Sequence, residues 1–210
     1  MTTPLPRPQQ SLGDVAELPT VTFGHRSIMW WGTVGFMVIE GWTLALIVAM
    51  YFYVRQNFVT WPPLVHGRLP NPSLLIPTIN LAIMLVSVIP AALSERAARR
   101  LDLGGVKLWL LVTSIISLAI PVLRWYELWA LNVRWDSNAY GTAAWTIVGT
   151  HATLLLLDVA DTIGLTLFLW LKKMPVKTFS DVVDNQLYWY FMVGIWIPIY
   201  LIVYIGPYVL

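Results

Sequence analysis

The chain has 210 residues, 58% of them hydrophobic and 11% charged, with a formal net charge of +2 and a mean hydropathy of +0.68. A soluble domain carries about 25% charged residues, so this composition excludes an ordinary water-soluble globule and any disordered or fibrous class, and it fits a polytopic membrane protein. The small charge, spread over loops, excludes a nucleic-acid partner; the lack of cysteine excludes disulfides, iron–sulfur clusters, thiolate-bound copper and a catalytic thiol.

Residues 1–27 contain four prolines and no apolar core. They read as a loosely ordered cytoplasmic tail and not as a cleaved signal peptide. From there a membrane helix needs about 20 predominantly apolar residues. The stretch from Arg26 to Arg55 is interrupted only by Glu40, which predicts a first span over 28–54. No charge occurs between Arg68 and Glu95, which predicts a second over 72–94. The third, over 107–124, is short: Lys107 and Arg124 bracket sixteen uncharged residues, so both stems are expected to snorkel to the interfaces. The fourth covers 140–171 and contains Asp158 and Asp161; the fifth covers 186–209 without a charge.

These spans should be helices, because a backbone crossing hydrocarbon must satisfy its own hydrogen bonds. The expected fold is an all-α, five-transmembrane-helix bundle over 28–210. Pro77, Pro90, Pro121 and Pro198 fall inside the spans, and Trp30, Trp31, Trp61, Trp109, Trp125, Trp129 and Trp170 fall near their ends, as an interfacial belt requires. With five spans, nine Lys/Arg residues share the N-terminal side (Arg7, Arg26, Arg96, Arg99, Arg100, Lys107, Lys172, Lys173, Lys177) and four the other (Arg55, Arg68, Arg124, Arg134). The positive-inside rule then places the N-terminus in the cytoplasm and the C-terminus outside.

Ionisable residues inside a membrane face a bundle interior, a cavity or a partner. At about 1.5 Å of rise per residue, Glu40, Asn80, Asp158 and Asp161 all come out roughly 16–22 Å from the cytoplasmic end of their spans. These four form an intramembrane polar layer, expected to meet inside the bundle. His151 sits nearer the outer face, one heptad before Asp158, with Thr150 and Thr162 flanking the stripe. Burial and mutual repulsion disfavour three ionised carboxylates together, so some are expected to be neutral hydrogen-bond donors. The layer can be interhelical glue or cleft lining, a proton relay, or a metal site; the depth separating His151 from the aspartates weakens the last. His25 and His66 lie in a tail and a loop and read as solvated. The aromatic run Tyr188, Trp189, Tyr190, Phe191, Trp196 and Tyr200 reads as helix packing before a cofactor box. Arg99–Arg100 and Lys172–Lys173 read as topology signals, with anionic lipid head groups as their second role.

Several motifs now combine. Glu40 precedes a Leu/Ala-rich stretch closing in Tyr51-Phe52-Tyr53; Trp61-Pro62-Pro63 is followed by Pro77-Thr78-Ile79-Asn80; Tyr140-Gly141 leads into Gly149-Thr150-His151; and Tyr188-Trp189-Tyr190-Phe191 is followed by Trp196 and Tyr200. In this order the chain resembles subunit III of the haem–copper oxidases, from about residue 30 to 208, in the five-helix form. It departs from that pattern at Leu154, Tyr190 and Val193, where the family has two histidines and an aspartate, and at Asp158 and Asp161, where it has apolar or small residues.

The resemblance implies a non-catalytic subunit of a respiratory oxidase in a bacterial inner membrane. It would bind no cofactor itself, with haem and copper held by partner subunits. Its partners would be catalytic subunit I, subunit II and structural phospholipids in a cleft. The resemblance also implies that Glu40 and His151 line that cleft, that Lys172 or Lys173 meets a lipid phosphate, and that the subunit steadies the oxidase and its proton supply. Donor chemistry points the same way: two haems and a copper need about half a dozen histidines, and only His151 lies within a span. The alternatives are an accessory subunit of a nitric oxide reductase or quinol oxidase, and a stand-alone membrane metalloenzyme or proton-coupled transporter built on Glu40, Asp158, Asp161 and His151.

Overall fold

A computed structural model describes residues 21–65, 67–172 and 175–209. Residues 1–20, His66, Lys173, Met174 and Leu210 lie outside the described residues. The described residues form five long helices: α1 (Ile28–Arg55), α2 (Leu75–Arg99), α3 (Leu103–Ala130), α4 (Ala139–Leu171) and α5 (Thr178–Tyr200). The last continues through a π-helical turn (Leu201–Ile205) into a short α6 (Gly206–Val209). All five are long and apolar enough to cross a membrane, α5 and α6 counting as one span. The chain is a multi-pass membrane protein.

The packing follows from which helix carries the most inward-facing side chains. Half of the most apolar stretch of α5–α6 is buried, against 6% of that of α1. Helix α5 touches α1, α2 and α4, while α3 closes the bundle by packing on α2 and α4. Helix α1 lies along the seam between α4 and α5 and leaves Ile39, Trp42 and Leu46 facing outward. The main core gathers Leu44, Met84, Ile120, Ile147, Leu155, Trp189 and Trp196; a smaller one, around Leu110, Leu169 and Val182, closes the N-terminal end.

Local chemistry sets the helix ends. Asp102 caps α3 by accepting the Gly105 N–H at 3.1 Å, after a two-residue break from α2 in which Leu101 takes a left-handed conformation (φ 57°). Asn138 caps α4 by accepting the Gly141 N–H at 2.8 Å. Nearby, on the exposed loop, Arg134 forks onto Asp136 (3.0 and 2.9 Å), and this hydrogen bonding holds the Asp136 carboxyl below its usual range. Trp61 folds back into the core, its indole donating to the Tyr51 hydroxyl at 2.7 Å and its ring meeting Tyr140 edge-on. The end of the N-terminal tail is tied down as well: the Ser180 hydroxyl donates to the Thr22 carbonyl at 2.9 Å, and Arg99 lies over the Phe23 ring.

Several boundaries differ from the expected ones. Helix α2 runs past Glu95 and Arg96 to Arg99, α3 starts before Lys107 and runs well past Arg124, and α5 begins before Asp181 and Asp184. Arg124, Asp181 and Asp184 do not end their helices because their side chains are buried or half-buried, while at Arg96 and Lys107 the helices simply extend past the apolar run.

Gly141 sits where the chain enters α4 beside the preceding loop. A Cβ there would collide with the Arg134 carbonyl oxygen and approach Val133 Cγ2 to 3.0 Å. Gly141→Ala is therefore expected to cost about 1–3 kcal/mol, the usual penalty for overpacking a site that cannot relax. Thermal unfolding of the purified protein in mild detergent checks this; an unshifted transition contradicts the close approach.

Candidate functional site

The polar side chains inside the bundle fall into two groups at opposite ends. The first lies towards the far side from the N-terminus and centres on Arg124. Its position in α3 turns it inward, where it is 2% exposed and ion-paired to Glu127, itself fully buried. The guanidinium carbon lies 3.4 Å from the centroid of the Trp196 ring, and Nη2 meets the Met84 sulfur at 3.3 Å. Tyr204 donates to the Glu127 carbonyl at 3.1 Å. The expected snorkelling of Arg124 is thus corrected: an ion-pair partner one turn away and an aromatic face supply inside the bundle what the interface would supply outside it.

Asn80 belongs to this group. It is fully buried, stands beside Glu127 and donates to the Ile120 carbonyl at 3.4 Å. It therefore does not join the layer with Glu40, Asp158 and Asp161, because its helical phase directs it at α3. His151 is also here. It is fully buried, its ring is 4.7 Å from that of Trp196, and Nε2 contacts the Met192 carbonyl at 3.1 Å.

The second group lines a cavity of about 720 Å³ on the N-terminal side, between α1, α4 and α5. Glu40 from α1, Asp158 and Asp161 from α4, and Asp181 and Asp184 from α5 all face it. Tyr188 donates its hydroxyl to Glu40, tying α5 to α1. Asn185 donates to Asp161 at 3.0 Å and to the Thr162 hydroxyl at 3.1 Å, tying α5 to α4. Asp161 is exposed, whereas Asp158 is 2% exposed and neither of its oxygens has a hydrogen-bond partner. The walls between the carboxylates are apolar, with Phe36, Leu157, Leu165 and Phe168. Lys172 is exposed past the end of α4, its ammonium 5.7 Å from the Phe168 ring. His151 is not among the residues lining the cavity.

Sequence reasoning brought Glu40, Asp158 and Asp161 together and missed Asp181, Asp184 and the Arg124–Glu127 pair. The i,i+3 spacing of Arg124 and Glu127 was the available signal. The aromatic run of α5 serves as crossing points: the Trp189 indole donates to Ser87 (2.9 Å), Tyr190 to Glu95 (2.9 Å), and Tyr200 shares a hydrogen bond with Thr78 (2.6 Å). Such contacts stabilise membrane helix pairs by roughly 1 kcal/mol each. Among the described residues, no three His, Asp or Glu side chains are placed to hold a metal ion.

Fold and polar inventory together define a class: a five-helix membrane bundle whose interior side chains join helices and line a cavity. Comparison with known proteins narrows it. The chain is 25% identical over 189 residues to cytochrome c oxidase subunit 3 of Synechocystis sp., covering 87% of this chain and 77% of that protein. It is 27% identical to cytochrome c oxidase subunit 3 of Corynebacterium diphtheriae, covering 82% of this chain and 85% of that protein. It is 22% identical to quinol oxidase subunit 3 of Bacillus spizizenii, covering 81% and 85%. No family model matches the chain. The chain is similar to, and diverged from, subunit III of the haem–copper oxidases, an accessory subunit of an oxidoreductase complex.

Removing Arg124 alone leaves Glu127 buried without its partner. Arg124→Met should therefore lower stability by about 3–5 kcal/mol, the range for a broken buried ion pair. The double replacement Arg124→Met with Glu127→Gln should recover much of the loss. Unfolding in detergent reads both; a double variant as unstable as the sum of the singles would show that the two side chains act independently.

Proposed function

We propose that the chain is the non-catalytic subunit III of a respiratory haem–copper oxidase in a bacterial inner membrane, with its N-terminus in the cytoplasm. The observation that carries the proposal is the similarity over more than four-fifths of the chain to proteins named as oxidase subunit 3. His151, the one histidine in a span, is enclosed against Trp196 and the Met192 carbonyl. Haem and copper would then sit in the partner subunits I and II.

Its task would be structural. The uncovered face of α1 offers apolar surface to lipid or to a neighbouring subunit. The cavity between α1, α4 and α5 would hold phospholipid, with Lys172 at its rim for a phosphate and Glu40 facing the interior. The carboxylates of Asp181 and Asp184 near the start of α5 would keep protons available on the cytoplasmic side, next to the catalytic subunit. A quinol-oxidising complex is the second reading, favoured by the similarity to quinol oxidase subunit 3.

Extraction in a mild detergent is expected to bring the chain down with a large haem-containing subunit. Recovery as a haem-free monomer under the same conditions overturns the proposal. A copper-bearing partner with paired cysteines identifies cytochrome c as the electron donor; its absence from the intact complex identifies a quinol.

A further inference from the structure

We propose that Asp158 and the N-terminal half of α1 form a proton-operated switch: loss of the Asp158 proton swings that half of α1 outward and admits water between α1, α4 and α5. The inference rests on the membrane placement of the bundle and not on the oxidase assignment. Asp158 is 2% exposed, and neither of its carboxyl oxygens has a hydrogen-bond partner among the described residues. The charges acting on it are those of Asp161 on its own helix and Glu40 on α1, both acidic. A carboxylate enclosed without a donor or a cation is costly, so this packing suits the neutral acid. The charged form needs water around it, and the bundle must open somewhere to supply that water.

The packing locates the opening. Helix α1 buries two side chains, Leu44 and Tyr51, both in its second half. Just before them Gly41 rests on Phe191, whose Cε2 lies 3.4 Å from where a Cβ would stand. Earlier in the helix, Met29, Thr33, Phe36 and Glu40 line the cavity instead of a core. The hydrogen bond from Tyr188 to Glu40 is what ties this half to α5. Ahead of α1, the single turn Gly24–Arg26 begins with Gly24 in the left-handed region (φ 67°), a position free to absorb a change of direction. Thr22 before it is held to α5 by Ser180. The segment from Gly24 to Gly41 is thus fastened at both ends and loosely seated between them.

The neighbouring helices direct their cations elsewhere. On α5, Asp181 and Asp184 are the groups that interact with Lys177 and with Arg99 of α2; Arg99 also pairs with Glu95, which accepts from Tyr190. On α3, Lys107 lies over Trp170 at the N-terminal end and Arg124 pairs with Glu127 at the far end. Lys172, past the end of α4, lies over Phe168. An ionised Asp158 therefore faces Glu40 without a counter-charge, and the repulsion acts on the less firmly seated helix.

The chain lacks cysteine, so spin labels can be attached at introduced thiols. The test uses the chain, with whatever subunits accompany it, in lipid nanodiscs. Gly32→Cys with Leu108→Cys measures from the N-terminal half of α1 to α3; a Cβ at Gly32 meets nothing within 4 Å, and Leu108 is exposed. Dipolar spectroscopy should show this distance lengthening by several ångströms between about pH 5 and about pH 9, a window above the ordinary carboxyl value of about 4. Met50→Cys with Val122→Cys, both exposed and in the far half, should not change. Asp158→Asn should hold the short distance throughout, and Tyr188→Phe, which frees Glu40 from α5, should move the lengthening to lower pH. Thermal unfolding of each variant checks that it is folded. A constant distance in the parent chain, a lengthening that persists in folded Asp158→Asn, no shift in folded Tyr188→Phe, or an equal change in the far pair overturns the proposal. None of these results depends on co-purification with an oxidase.

Discussion

An ion pair enclosed in a protein that is itself enclosed in hydrocarbon holds the far half of the bundle together. Arg124 can lie inside only because Glu127 neutralises it, the Trp196 ring covers its face and Met84 meets its edge. Those partners come from α3, α5 and α2, so one guanidinium fixes three helices in rotation as well as in height. Lipid tails offer no competing hydrogen bonds, and every buried polar group must find its partner within the chain or next to it. The crossings made by Trp189, Tyr190, Tyr200 and His151 follow the same rule.

The other half of the bundle obeys that constraint differently. There the cavity between α1, α4 and α5 is lined by five carboxyl groups, with Lys177 and Arg99 interacting only with Asp181 and Asp184. Tyr188 and Asn185 satisfy Glu40 and Asp161, but Asp158 stays unanswered. One half thus spends its polar chemistry on joining helices, while the other leaves Asp158 facing a cavity. In the role proposed above, the first would fix the subunit's shape and the second would hold a lipid.

The existence of five helices was legible because uninterrupted apolar runs have few alternative solutions in a chain this poor in charge. Their lengths were less so. Charges were read as borders, which holds for the exposed Arg26 but fails for Arg124, Asp181 and Asp184, whose helices continue past them. Depth counting has a matching blind spot: it gives height along a helix but not direction around it. Asn80 shares the height of Glu40 and Asp158 yet points at α3, and His151 shares a stripe with Asp158 yet packs on Trp196. The grouping of Glu40, Asp158 and Asp161 was recoverable because α1, α4 and α5 are neighbours at that height.

The inward placement of Arg124 is the most direct point of measurement, since sequence hydropathy and three-dimensional packing place the same side chain in opposite environments. An experimental map of the chain in its native assembly, with lipid density, would show the guanidinium. The account requires it over the Trp196 ring beside Glu127. A guanidinium extended outward to phospholipid head groups, with Glu127 turned elsewhere, would contradict it.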